Sequence, residues 1–398
     1  MKKILMFFTL VLLLDFYSFA QWTRKADLIG SSNRNMAVGF SIGNKGYIGT
    51  GSESTNCGLP RRCENDYKDF WEFDPVNNTW TQKADFGGDA RIQAVGFSIG
   101  TKGYIGTGGR GDYKTDFWEY DSANNIWTRK SDFPGLARWA AIGFSIGNKG
   151  YIGTGANGIR RFKDFWEYDS ANNTWLQKAD FPGTVRNGAV CFSIGSKGYI
   201  GLGWSEGDVK NDFWEYNPEN NSWKQIADFP MTGRQIATGF SIGLKGYVIA
   251  GHDGTYRNDF WEWDSTTNIW SQKPNFEGSG RISAIGFSIG SNGYFGTGSD
   301  GIYKNDFWQY NTGTTSETIS FDNADFAKIF PNPTNNKITI EYPKVFDIEI
   351  ADLNGRKIEF YQQNKTNLVI DLKGYPKGIY FLTIRSDHKI LVKKIIKQ

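Results

Sequence analysis

The chain has 398 residues, 16% of them aromatic, with 48 Gly, 15 Trp, two His and a formal charge of +3. Glycine-rich turns between aromatic segments favour an all-β repeat over a helical fold, and the length allows two or more domains. The charge is uneven: residues 326–398 carry 13 Lys and Arg against 7 Asp and Glu, which leaves a mildly acidic body and excludes a nucleic-acid partner, whose phosphates demand the reverse.

Residues 1–20 read as a secretory signal peptide. Lys2 and Lys3 form the positive start, Ile4 to Leu14 the apolar segment, and Ser18-Phe19-Ala20 the small-x-small cleavage site. That apolar segment is too short to span a bilayer, and no later stretch is long enough. Gln21 is the expected mature N-terminus.

Six stretches of about 48 residues follow. Phe-Ser-Ile-Gly recurs at Phe40, Phe97, Phe144, Phe192, Phe240 and Phe287, and Asp-Phe-Trp at Trp71, Trp118, Trp166, Trp214, Trp261 and Trp308. A further Trp closes five of the repeats, at Trp80, Trp127, Trp175, Trp223 and Trp270. Its sixth copy is absent after Trp308 but present at the other end of the chain, as Trp22. A ring closed by its own N-terminal strand explains the offset; an open stack does not.

One repeat, Arg138 to Lys178, predicts four strands. Ala140 to Ile146 is a small, apolar run, and Gly147-Asn148-Lys149-Gly150 is a hairpin turn. Tyr151 to Gly155 is the second strand, Asp164 to Asp169 the alternating third, and Thr174 to Lys178 the fourth. Four strands taken six times make a six-bladed β-propeller over residues 21–311. Glycines line its narrow inner strands and aromatics fill the wider gaps between blades. The order of Gly, Tyr and Trp resembles the kelch family over residues 22–311. Gly49-Thr50-Gly51 stands where kelch repeats usually carry a Gly-Gly doublet.

Cys57 and Cys63 flank a polar insert in the first repeat, and a loop disulfide is expected outside the cytoplasm. Cys191 replaces a strand glycine and reads as a buried, inert thiol. After a linker at 312–323, residues 324–398 show short strands around Gly/Pro turns and predict a small β-sandwich. The sequence Phe330-Pro331-Asn332-Pro333-Thr334, then Asp352-Leu353-Asn354-Gly355, then Gly374-Tyr375-Pro376-Lys377-Gly378 looks like the C-terminal sorting domain of the type IX secretion system of Bacteroidota. That resemblance implies export across the outer membrane, with the secretion machinery as partner, and then surface attachment or release.

Strand direction places the segment before each first strand, and the loop between strands two and three, on one face, here the mouth face. Arg34, Arg91, Arg138, Arg186, Arg234 and Arg281 each precede their repeat's Phe by six residues and are expected to ring the channel there. Such a ring suits carboxylates or acidic sugars. The alternative is structural, with an Asp six residues earlier (Asp85, Asp132, Asp180, Asp228) neutralising it. Asp69, Asp116 and Asp164 are expected to cap turns.

A specific site should break the sixfold pattern. After the Arg stand Asn35, Ile92, Trp139, Asn187, Gln235 and Ile282; after the second-strand Gly stand Ser52, Gly109, Ala156, Trp204, His252 and Ser299. Trp139, Trp204 and His252 are the outliers, and Trp beside Arg suits sugar stacking or peptide anchoring.

No cofactor or metal site is expected. His252 and His388 are too few for copper, no further ligands accompany Cys57 and Cys63 for zinc, and Asp253 to Asp259 lacks the acid density of a calcium loop. The expected function is a monomeric binding propeller with a glycan or protein ligand. Resemblance to exported kelch propellers also allows a sialic-acid mutarotase, although no Glu breaks the repeat on an inner strand. A structural coat component is the third reading. The far face offers Lys45, Lys102, Lys149, Lys197 and Lys245 in repeated hairpins. It also carries Asp121-Ser122-Ala123 and Asp169-Ser170-Ala171, which resemble O-glycosylation sites of Bacteroidota.

Overall fold

A computed structural model describes residues 21–29, 33–56, 62–312, 328–341, 347–352, 357–362, 367–386 and 389–397. The expected signal peptide, Cys57, most of the linker and His388 lie outside these residues, and so does the side chain of Cys63. The chain divides into two compact units after Gly313.

The first unit contains six four-stranded antiparallel sheets among the described residues. In the third blade the strands run Ile142–Ile146, Lys149–Gly153, Phe165–Asp169 and Thr174–Lys178, in that order from the axis outward. The two-residue turn Gly147-Asn148 joins the first pair, with Gly147 at φ +58°, as a tight hairpin requires. The inner strands Val38–Ile42, Val95–Ile99, Ile142–Ile146, Val190–Ile194, Thr238–Ile242 and Ile285–Ile289 touch in cyclic order, the last against the first. Their glycine neighbours let the blades approach: a Cβ on Gly150 would stand 2.4 Å from the Phe97 ring of the preceding blade.

The N-terminal strand closes the ring. Gln21–Arg24 pairs antiparallel with Phe307–Asn311 as the outermost strand of the sixth sheet, Trp22 opposite Tyr310. Trp22 is buried against Phe260 and Phe276 of the fifth blade and Phe295 of the sixth, with ring centroids 5.2, 5.4 and 6.2 Å away.

Five blade seams share one staple. The indoles of Trp80, Trp127, Trp175, Trp223 and Trp270 donate at 2.9–3.0 Å to the carbonyls of Ala26, Ala84, Ser131, Ala179 and Ala227. The N–H groups of those same five residues donate at 2.8–3.0 Å to Asn78, Asn125, Asn173, Asn221 and Asn268. The sixth seam lacks the staple: Pro274 occupies the place of the five donors and has no N–H, which removes one half, and the indole-to-carbonyl half is not made either. Trp22 Nε1 and Tyr310 Oη are buried there without a hydrogen-bond partner.

The second unit has a three-stranded sheet (Lys328–Phe330, Lys337–Glu341, Asn367–Asp371) and a four-stranded one (Lys357–Gln362, Asp347–Ala351, Gly378–Ser386, Lys389–Lys397). Its core is aliphatic, built on Ile338, Ile340, Ile348, Ile350, Leu382 and Ile384. The Pro-Asn-Pro-Thr segment clasps the last strand: Asn332 accepts from Ile396 N and Thr334 N donates to Ile396 O, both at 2.9 Å.

Candidate functional site

The six arginines do not offer their charge to the channel. Each is at most 1% exposed. Each guanidinium forms a two-pronged pair with the Asp of its own blade's Asp-Phe-Trp motif, namely Asp69, Asp116, Asp164, Asp212, Asp259 and Asp306, at 2.5–2.9 Å. The following Trp indole donates to the same carboxylate at 2.7–2.9 Å. An aromatic ring covers each guanidinium, for example Phe133 with its centroid 4.8 Å from Arg138. The partner is therefore this Asp and not the one six residues upstream. Asp132 of that upstream set pairs instead with Arg129, at 2.9 Å. The Asp-Phe-Trp carboxylates likewise hold Arg and Trp rather than capping turns. Fixed charge is stabilised in the wall by the two-pronged pair with the carboxylate, although Nε of Arg234 is buried without a partner.

Burial alone would raise the carboxyls of Asp116, Asp212, Asp259 and Asp306, but the hydrogen bonds and charge of their arginines outweigh it and hold them below the ordinary Asp value. A lowered folded value gives stability that is fully present above the unfolded pKa and lost as pH falls through the folded one. The propeller should therefore lose thermal stability as the pH drops below about 4. Melting curves across acid pH measure this, and an unchanged melting temperature well below that pH would show that the pairs carry no such stability.

The symmetry-breaking positions meet one another. Asn35 bridges Ser52, Trp139 bridges Ala156, Asn187 bridges Trp204, Gln235 bridges His252 and Ile282 bridges Ser299. A third row completes this short ladder on the mouth face: Asp66, Arg161, Val209, Tyr256 and Tyr303 pair with Ser52, Ala156, Trp204, His252 and Ser299. Tyr113 holds the corresponding place in the second blade, since the next residue, Lys114, donates to Gly108 as Phe162 does to Gly155. Sequence reading missed this row because the loop carrying it varies in length. The signal was its fixed place three residues before the Asp of each Asp-Phe-Trp motif.

Side chains of this row lean onto the next blade. Arg161 stacks on Trp204 with its guanidinium carbon 3.8 Å from the ring centroid, and its Nε donates to Asn187 Oδ1 at 2.8 Å. Tyr113 stacks beside Trp139 at 6.4 Å. His252 meets Tyr256 edge-on at 5.4 Å, and Tyr256 is 44% exposed. Trp139, Trp204 and His252 are each half-buried. The hairpin Ser52–Asn56 and Arg62–Asp66 lies on the same face. Cys191 donates its thiol to Gly143 O at 3.4 Å, and burial pushes its pKa up to about 12, as suits an unreactive thiol.

At the axis lies a cavity of about 170 Å³ lined by one ring of alanines (Ala37, Ala94, Ala141, Ala189, Ala237, Ala284) and by Met36, Gln93, Ala140, Gly188, Ile236 and Ser283. The last six residues all sit at φ between +47° and +61°. Each donates its N–H to the carbonyl of its counterpart in the preceding blade at 2.8–3.3 Å, and Met36 to Ser283 closes the circle. The strained backbone is repeated in every blade, so it belongs to ring closure. Among the described residues no group of three or more His, Cys, Asp or Glu is placed to hold a metal ion.

Comparison with known proteins agrees with this architecture. A family model of the KLHDC2/KLHL20/DRC7 Kelch-repeats domain matches residues 130–284, and one of the Secretion system C-terminal sorting domain matches residues 328–398. No curated protein matches the chain. Among solved structures, that of YjhT superimposes on 69% of this chain and 94% of its own, with a TM-score of 0.60 and 16% identity, a likeness of fold. The protein thus joins a kelch-repeat β-propeller to a type IX secretion sorting domain, through which it engages that machinery and is exported, secreted or attached to the outer-membrane surface.

Proposed function

We propose that this protein is a monomeric binding propeller that takes a protein or glycan ligand on its mouth face. The observation that carries the reading is the concentration of repeat-breaking side chains there, Trp139, Arg161, Trp204 and His252, with the aromatic Tyr113 and Tyr256 beside them, spread over four consecutive blades. The far face largely repeats itself and pairs four of its five hairpin lysines, Asn217 replacing the Asp in the blade of Lys197. Lys45, Lys102 and Lys149 pair with Asp74, Asp121 and Asp169 at 2.7–2.8 Å, and Lys245 pairs with Asp264. Half-buried aromatics beside hydrogen-bonding groups are the usual anchors of recognition. A sugar-processing enzyme working through the arginine ring finds less support, since those guanidiniums are buried and paired with the Asp-Phe-Trp carboxylates.

The test is a screen of the purified protein on printed glycans and peptides, repeated with Trp204→Ala and Trp139→Ala. Each substitution should weaken the bound ligand by about 1 kcal/mol or more and barely move the melting temperature. Unchanged binding in both variants, with loss on Lys102→Ala or Lys149→Ala, would place the site on the far face instead.

A further inference from the structure

Resting on that reading of the mouth face, we infer that Arg161, backed by Trp204, is a carboxylate clamp, and that its ligand is an acidic peptide segment seated beside the axial cavity. Six arginines of this face are sealed in the wall, while Arg110, Arg160, Arg161 and Arg257 stand in its loops; Arg110 pairs with Asp66 at 3.0 Å and Arg257 with Asp253 at 2.8 Å, and Arg160 lies over Phe162. Arg161 is set apart by its stack on the Trp204 indole. It is half-buried, and it occupies the row in which Tyr113, Tyr256 and Tyr303 stand in other blades. Its only hydrogen bond among the described residues runs from Nε to Asn187.

The geometry leaves the useful edge open. Stacking on the indole uses the face of the guanidinium, and Asn187 takes one N–H. The two terminal nitrogens keep their in-plane N–H groups, and such a pair matches the two oxygens of a carboxylate. The indole limits the rotation of the guanidinium, so less freedom is lost when an anion binds. The clamp's hydrogen-bond partner Asn187 is followed in the chain by Gly188 and Ala189, which line the axial cavity.

The cavity decides which kind of acid fits. Its wall is mostly alanine methyls with Met36 and Ile236, and its polar side chains are Gln93 and Ser283. The six N–H groups nearest the axis are already spent in the closed circle of backbone hydrogen bonds. An acidic sugar would bring many hydroxyls to a wall with few free partners, and each hydroxyl stripped of water without a partner costs affinity. An uncharged side chain next to an acidic residue loses nothing of that kind.

The experiment prints three sets on one slide: C-terminally amidated peptides containing one Asp or Glu, free-acid peptides without Asp or Glu, and sialylated glycans. The full-length protein is compared with Arg161→Gln. The expected result is binding of acidic peptides with an uncharged residue beside the acid, weakened about tenfold or more in the variant and by added salt. The first two sets show whether a side-chain or a terminal carboxylate is taken. Equal binding of acidic peptides by both proteins would overturn the clamp and leave the mouth-face reading standing. Binding of sialylated glycans that depends on Arg161 would overturn the peptide assignment. No binding to anything on the slide would overturn both readings. Matching melting curves confirm that the variant is folded.

Discussion

Deleting residues 21–28 unfolds the propeller or drives it into aggregates. The segment supplies the outer strand of the sixth blade, so its loss bares the hydrogen-bonding edge of Phe307–Asn311. It also removes Trp22, packed across the seam of blades five and six, and Leu28, packed with Ile48, Trp71 and Phe73 of the first blade. Burial of the Trp alone is worth about 3–5 kcal/mol by comparison with other large core truncations. The deletion removes more than that from a domain whose whole stability is of order 5–15 kcal/mol. The sixth seam has the least to spare, since it lacks the staple of the others. Thermal melting checks this, together with Trp22→Ala as a milder variant that should lower the melting temperature without abolishing folding. A truncated chain that melts like the full one would overturn closure by the N-terminus.

Replacing Arg138 with Ala should destabilise the protein by about 3–5 kcal/mol, because the Asp164 carboxylate would be left in the wall without its counter-charge. Arg138 also donates to Thr154 O at 2.8 Å and lies between the rings of Phe133 and Phe162, so packing is lost with the charge. Chemical denaturation measures the loss. A variant of unchanged stability that loses a ligand instead would return these arginines to the role of a binding ring. The same substitution at Arg161 should do the opposite, because its stack on Trp204 is at the surface.

Much of the scaffold was legible because a propeller repeats its instructions. Phe144, Tyr151 and Trp166 mark strands through period-two alternation, and the spacing of their copies counts the blades. The displaced Trp22 announced the closure. The arginine ring misled for the same reason: a residue present in every blade shows that each blade needs it, but not whether it faces solvent or a carboxylate. The Asp six residues upstream was near in sequence, whereas the true partner comes 25 or 26 residues downstream of most of these arginines, across the blade.

By itself the sequence determined the all-β propeller, its closing strand, the separate tail and the side chains that depart from the repeat. Each of these rests on local periodicity or on comparison of one repeat with the next. Only the tertiary structure decided which arginines are sealed in the wall. It put Asp164 on Arg138, set Arg161 against Trp204 of the following blade, and bent six positive-φ residues into a circle that uses up its own hydrogen bonds. These pairings join different strands and different blades, where the distance between side chains follows from packing and not from their separation along the chain.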